Sequence, residues 1–318
     1  MSNAPDILTE FGGAPVTPRY NGMWGNKNWF VDWDGGTAGG VGDSPDQAQK
    51  YVDTILAKAT AWDTIYIRPR TPDMTGGDPQ AYTPVAAANL SISATQYGLA
   101  LIGTGLGCTS VEQAYQTRLQ GDATVTTTPV LKVLAPYVTL ENLTLKPGAA
   151  TTWPLVTFLG SITGAISFGG SVYNCRLHMA TGTTGDKAAV QIDSNHYTVV
   201  KNCYFDRCSV GVGFSSTYAV PVGCRITNNI FECVTGSNYG DIVVQGTAVY
   251  RINIDWNNFN HAIPGLGAAR YIFAQGSSTG SVSNNVFATA TVVTATIVTL
   301  SGILDGGGNM TNRGWLTS

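Results

Sequence analysis

Val200-Lys-Asn-Cys-Tyr-Phe205, Ile226-Thr-Asn-Asn-Ile-Phe231, Ile254-Asp-Trp-Asn-Asn-Phe259 and Val282-Ser-Asn-Asn-Val-Phe287 are four versions of one six-residue phrase. Two weaker copies precede them, Leu140-Glu-Asn-Leu-Thr-Leu145 and Val172-Tyr-Asn-Cys-Arg-Leu177, so the closing apolar residues fall at 145, 177, 205, 231, 259 and 287. The intervals are 32, 28, 26, 28 and 28 residues, a period that belongs to solenoids, in which each repeat buries its apolar side against its neighbours. Within each phrase apolar residues recur at every second position, which is a strand pattern rather than a helical one. One turn of a parallel β-helix is the natural unit. Asn stands third in five copies, at Asn142, Asn174, Asn202, Asn228 and Asn284, and it tolerates the left-handed conformation that a bend between strands requires. Stacked coils then bond amide to amide, as an asparagine ladder. Trp256 interrupts the series, which predicts a bulged or reoriented coil at that point.

Upstream, a Gly-rich segment at 32–43 precedes Ser44-Pro-Asp-Gln47, a helix start with Ser44 as N-cap and Gln47 closing a capping box. The helix is expected to run to about Thr60, with Ala48, Tyr51, Val52, Ile55, Leu56 and Ala59 on one apolar face. Asp63-Thr-Ile-Tyr-Ile-Arg-Pro69 follows as the first clear strand. Repeats and entry together resemble the pectate-lyase-like right-handed parallel β-helix, and most of all the versions built into bacteriophage tailspikes and other virion proteins. The resemblance covers residues 28 to 318. It implies an all-β, single-stranded solenoid with a short N-terminal capping helix. The expected organisation is an attachment arm at 1–30, a loop and capping helix at 31–62, and the β-helix at 63–318.

The totals constrain function as well. A formal net charge of −3 over 318 residues, with a pI near 5.5, provides no basic field for nucleic acid. No apolar run is long enough for membrane insertion, and the N-terminus lacks the charged and apolar regions of a signal peptide. The six cysteines, at 108, 175, 203, 208, 224 and 233, show no paired metal spacing and read as reduced, buried thiols. Cys175 and Cys203 each follow a ladder Asn and are expected to stack one coil apart. Three Asp within 32–43 invite a calcium reading, but their spacing matches no EF-hand, and an ordinary turn accounts for them. Neither cofactor nor metal is expected.

The arm carries Phe11, Tyr20, Trp24, Trp29 and Phe30, more aromatic surface than a solvated tail sustains. Either it folds back on its own solenoid or it docks on a larger particle. Nucleophile elbows, phosphate loops and zinc signatures are missing, as are the Asn-Thr-Asp, Asp-Asp and Gly-His-Gly motifs of polygalacturonases. The calcium-binding Asp cluster and catalytic Arg of pectate lyases find no matching positions either. One candidate remains. The residues just after each closing apolar position form an outward column of Lys146, His178, Asp206, Glu232, Asn260 and Ala288, with Arg207 nearby. Neighbours in such a column lie ~4.8 Å apart at the backbone, so Asp206 and Glu232 form a stacked carboxylate pair. That pair reads either as the acid and nucleophile of a glycosidase or as a solvated polar turn.

These features favour a virion structural protein over an enzyme: a surface spike, decoration or tailspike-like attachment protein. It would be a homotrimer, made in the host cytoplasm and bound to other virion proteins of the capsid or tail through its arm. The alternative is a glycoside hydrolase or polysaccharide lyase acting on host surface glycans, and a cellular carbohydrate-binding β-helix is a third reading.

Overall fold

A computed structural model describes residues 10–11, 14–15, 27–71, 81–85, 89–105, 116–125, 128–148, 154–160, 167–178, 188–215, 219–232, 240–244, 248–260, 271–274, 276–288, 298–300, 302–311 and 314–315. The chain winds as a parallel β-helix with three long sheets. Sheet A has ten strands, sheet B nine and sheet C eight, and each sheet takes one strand from successive coils. A typical coil passes through Val199–Lys201 in sheet A, Tyr204–Asp206 in sheet B and Val210–Ser215 in sheet C before returning to sheet A at Arg225–Thr227. Every pairing within these sheets is parallel except the last of sheet B, where Gly314–Trp315 turns back antiparallel on Met310–Thr311.

The interior file read from the repeats is in register. Leu145, Leu177, Phe205, Phe231, Phe259 and Phe287 pair in succession and are fully buried. The four phenyl rings stack with centroids 4.5, 4.9 and 4.9 Å apart and planes within 10° of parallel. Period-2 alternation dictates this, because one inward side chain per strand must meet its own image one coil away.

The bend from sheet A to sheet B uses one left-handed residue per coil. Asn142, Asn174, Asn202, Asn228 and Asn284 have φ between 50 and 58°. Trp256 adopts the same conformation at φ 58°, and the registers on both sides of it continue unbroken, so the expected bulge does not form. The backbone needs only a left-handed residue there, and the outward side chain is free to vary. Amide-to-amide bonding at these bends joins Asn228 Nδ2 to Asn202 Oδ1 at 2.7 Å, and it runs through more coils one residue further on. Asn229, Asn257, Asn285 and Asn309 point inward, and each Oδ1 accepts from the backbone N–H one coil back, at 2.9–3.0 Å. Each Nδ2 donates to a carbonyl of the preceding coil at 3.0–3.1 Å. Cys175 and Cys203 occupy the same column in earlier coils, and their thiols point at Leu140 and Val172 carbonyls. Cys175, Cys203, Cys208 and Cys224 are buried, and burial pushes the Cys224 thiol up to about 12. Cys108 and Cys233 lie outside the described residues.

The bend from sheet C back to sheet A follows another rule. Trp62, Tyr137 and Tyr197 take positive φ in alternate coils, and Gly98, Gly169 and Gly223 take it in the coils between. A Cβ on Gly223 would come within 2.5 Å of the Tyr197 ring, so each glycine makes room for the preceding aromatic side chain.

At the N-terminal end the structure departs from the sequence expectation. Pro45–Gln47 is a single 3-10 turn in which Ser44 makes no side-chain cap, and the α-helix is confined to Val52–Lys58. Gln49 breaks the helix because its backbone exchanges hydrogen bonds with Phe30 and Asp32, while its amide donates to the Ala38 and Gly40 carbonyls. Val52, Ile55 and Leu56 are still buried against the first coils. The solenoid itself begins earlier than residue 63, since Asn28–Val31 pairs in parallel with Thr64–Ile67. Trp29 and Phe30 are therefore core residues rather than free attachment residues, being 7% and 4% exposed. Trp29 Nε1 donates to the buried Asp63 carboxylate at 2.8 Å, which also accepts from the Lys27 and Thr60 backbone. Phe11 lies in a short hairpin strand, Glu10–Phe11, and Tyr20 and Trp24 fall outside the described residues. In the 32–43 segment, Asp32 accepts from the Asp34 and Gly35 N–H groups and pairs with Arg68 at 2.8 Å. Among the described residues no three His, Cys, Asp or Glu side chains are grouped to hold a metal. No helix among them is long and apolar enough to cross a membrane.

Candidate active site

The outer face of sheet B carries the polar column. His178, Asp206 and Glu232 are register partners on three consecutive coils, with Lys146 one coil before and Asn260 one coil after. Strand alternation places a second outward column two residues earlier, through Arg176, Tyr204, Ile230 and Asn258. The strands are anchored by the buried leucines and phenylalanines between the two columns, so both columns stand on rigid scaffold.

The two carboxylates have different partners. Asp206 Oδ2 accepts from Arg176 Nη2 at 2.5 Å and faces His178 Nδ1 at 2.8 Å. Its side chain is only 13% exposed, as is that of Arg176, so these interactions are poorly screened. Burial acts to raise the Asp206 carboxyl, but the hydrogen bonds and charges of His178 and Arg176 outweigh it and hold the group at about 2. Among the described residues Glu232 has no cation as a hydrogen-bond partner: Tyr204 Oη donates to Oε2 and Asn260 Nδ2 donates to Oε1 at 2.9 Å. The Arg176 guanidinium lies over the Tyr204 ring, 5.2 Å from its centroid, and so links the two carboxylates through one stacked pair. Burial, reinforced by the Glu232 hydrogen bond and charge, raises the Tyr204 phenol well above its usual range, keeping it a donor.

The structure thus brings Asp206 and Glu232 together with His178 and Asn260. Arg207 bends away in a left-handed turn with its side chain exposed, and the guanidinium that reaches Asp206 is that of Arg176. Arg176 and Tyr204 were not read as site residues from the sequence. Their signal was the same alternation that gave the first column, applied two positions earlier.

A pair of carboxylates on adjacent strands, one held by Arg176 and His178 and the other by Tyr204 and Asn260, defines the face as a candidate acid–base site on a parallel β-helix. No family model and no curated protein sequence matches the chain. Among solved structures it is similar to pectin methylesterase from Aspergillus niger, with 12% identity over 87% of this chain and 91% of that one at a TM-score of 0.43. Pectate lyase Pel9A (11% identity, 91% and 80% covered, TM-score 0.40) and a rhamnogalacturonan lyase (12%, 83% and 68%, 0.38) are further likenesses. No site residue is carried over from any of them.

Proposed function

We propose that this chain hydrolyses a glycosidic bond of a polysaccharide on the outer face of sheet B. The observation that carries the reading is the unequal set of partners around two carboxylates one coil apart: Arg176 and His178 on Asp206, Tyr204 and Asn260 on Glu232. Adjacent strands lie ~4.8 Å apart, close to the ~5–5.5 Å separation of the paired carboxyls in retaining glycosidases. Asp206, held ionised by Arg176 and His178, is suited to attack the anomeric carbon. Glu232, held by Tyr204 and Asn260, is assigned the proton exchange with the departing glycosidic oxygen and then with the water that releases the sugar. Tyr204 and Asn260 orient Glu232, and Arg176 positions Asp206.

The test is release of reducing ends from surface polysaccharides, followed for wild type, Asp206→Asn and Glu232→Gln. Both variants are expected to keep the fold and to lose at least 100-fold in rate, with the anomeric configuration retained in the wild-type product. Inversion of configuration, or full activity in either variant, would remove the assigned roles.

A second reading is a trimeric virion spike with the arm as its attachment; of this reading, only the self-association is what Tyr97, Tyr137, Tyr197 and Tyr250 support. These rings are 41–51% exposed along one corner of the solenoid, an apolar strip suited to association. The two readings are compatible, since a particle-borne spike can also cut a glycan.

A further inference from the structure

Among the described residues, seven coils place one left-handed residue at the corner between sheets A and B: five use Asn, the last uses Gly308 and one uses Trp256. Gly308 suits that conformation, whereas Trp256 is a bulky residue that the left-handed region disfavours. Packing does not explain the choice, because the side chain is 61% exposed and the strand registers pass through this coil undisturbed. Position does offer an explanation. Trp256 belongs to the coil whose Asn260 holds Glu232, and the outward residues between them leave Asn258 exposed on the same face. Four residues of extended chain separate Trp256 from Asn260, at most ~13 Å.

Chemistry on this side of the carboxylates differs from that on the other. Toward the N-terminus stand Arg176 and His178. Toward the C-terminus the outward positions are Asn258, Asn260, Val286 and Ala288, with Asn228 and Asn284 at the flanking corners. The nearest charged groups of sheet A, Arg225 and Asp255, pair with each other at 2.9 Å. An exposed indole followed by two exposed amides matches the C–H face and the hydroxyls of an uncharged pyranose, and among the described residues of this stretch no cation stands beside them to meet a uronic acid.

We propose that Trp256, Asn258 and Asn260 form a subsite for a neutral sugar, on which Trp256 stacks the pyranose next to the bond cut at Asp206 and Glu232. The proposal deepens the glycan reading of this face and rests on it. Its test begins with wild-type protein on an array of defined neutral and uronate-bearing oligosaccharides. Calorimetry then measures the best neutral binder against wild type, Trp256→Asn, Trp256→Phe and Glu232→Gln. Trp256→Asn installs the residue that five of the other six coils use, so it is expected to fold with an equal or higher Tm while losing at least 10-fold in affinity. Trp256→Phe is expected to keep most of the affinity, and Glu232→Gln to bind without cleaving. Binding restricted to acidic oligosaccharides, binding to none, or unchanged affinity in Trp256→Asn would each overturn the subsite. Neutral-glycan binding that depends on Trp256 without any cleavage would leave the subsite standing and remove the hydrolysis reading. Cleavage with KM unaffected by Trp256→Asn would do the reverse.

Discussion

Asp206 has its charge fixed by two neighbours contributed by the preceding coil, and this makes the site sensitive to acid in a defined window. A carboxyl lowered from its ordinary range to about 2 stabilises the fold above the unfolded pKa, and that stabilisation is lost as pH falls through the folded one. The expected contribution is ~2 kcal/mol, fully present above about pH 5 and absent below about pH 2. Urea titrations of wild type and Asp206→Asn should therefore differ most near neutrality and converge on acidification from pH 4 to pH 2. A constant gap across that range would mean that Arg176 and His178 do not hold the ionised form. The column containing Asp206 and Glu232 was legible in the sequence because strand alternation fixes which residues face outward. Their partners were not. Arg176 reaches forward one coil and Tyr204 reaches Glu232 in the next, and a side chain's reach along the axis is set by its rotamer rather than by the repeat.

Within a coil the inward asparagine is the element that ties one turn to the next. Asn257 Oδ1 accepts from the Asn229 N–H, and its Nδ2 donates to the Ile226 carbonyl, both fully enclosed. Asn257→Ala leaves those groups buried without partners and is expected to cost ~2–4 kcal/mol in urea unfolding. Asn257→Cys should cost less, because Cys175 and Cys203 fill the same column and turn a thiol toward the same class of carbonyl. Equal losses in the two variants would show that the column matters only for volume. Phe231→Ala, which removes the middle of the ring stack, is expected to cost ~3–5 kcal/mol. The phenylalanine file could be read directly from the period. The ladder could be read only in part, since Asn-Asn at 228–229 and 284–285 offers two amides and only the bend geometry decides which turns inward. The entry helix was overextended by reading its capping residues, because Gln49 is drawn into backbone pairing with the first strand, a tertiary contact that no local propensity records.

At the scale of the whole molecule, a solenoid stabilises each coil only through its neighbours, so its flanks decide how it associates. One corner alternates glycine with Trp62, Tyr137 and Tyr197, and it adds Tyr97 and Tyr250 from adjoining positions. Parts of this strip satisfy themselves, for Trp62 stacks with Tyr137 at 6.3 Å and Phe168 with Tyr197 at 6.4 Å. Half of each exposed tyrosine nevertheless remains in water, and the charged residues that keep solenoids apart make up only 12% of the chain. Threefold packing about these corners would cover the rings while leaving the outer face of sheet B, with Asp206 and Glu232, open on the perimeter. The expected state is a homotrimer at micromolar concentration, measured by sedimentation equilibrium. Tyr137→Asp combined with Tyr197→Asp should give a folded monomer of 33.4 kDa. The double variant should keep the ring stack of Phe205 to Phe287, and hence its far-ultraviolet spectrum, because both tyrosines lie outside that core. A wild-type chain that sediments as a stable monomer would reject the trimer. A trimer indifferent to both substitutions would place the contact on another flank.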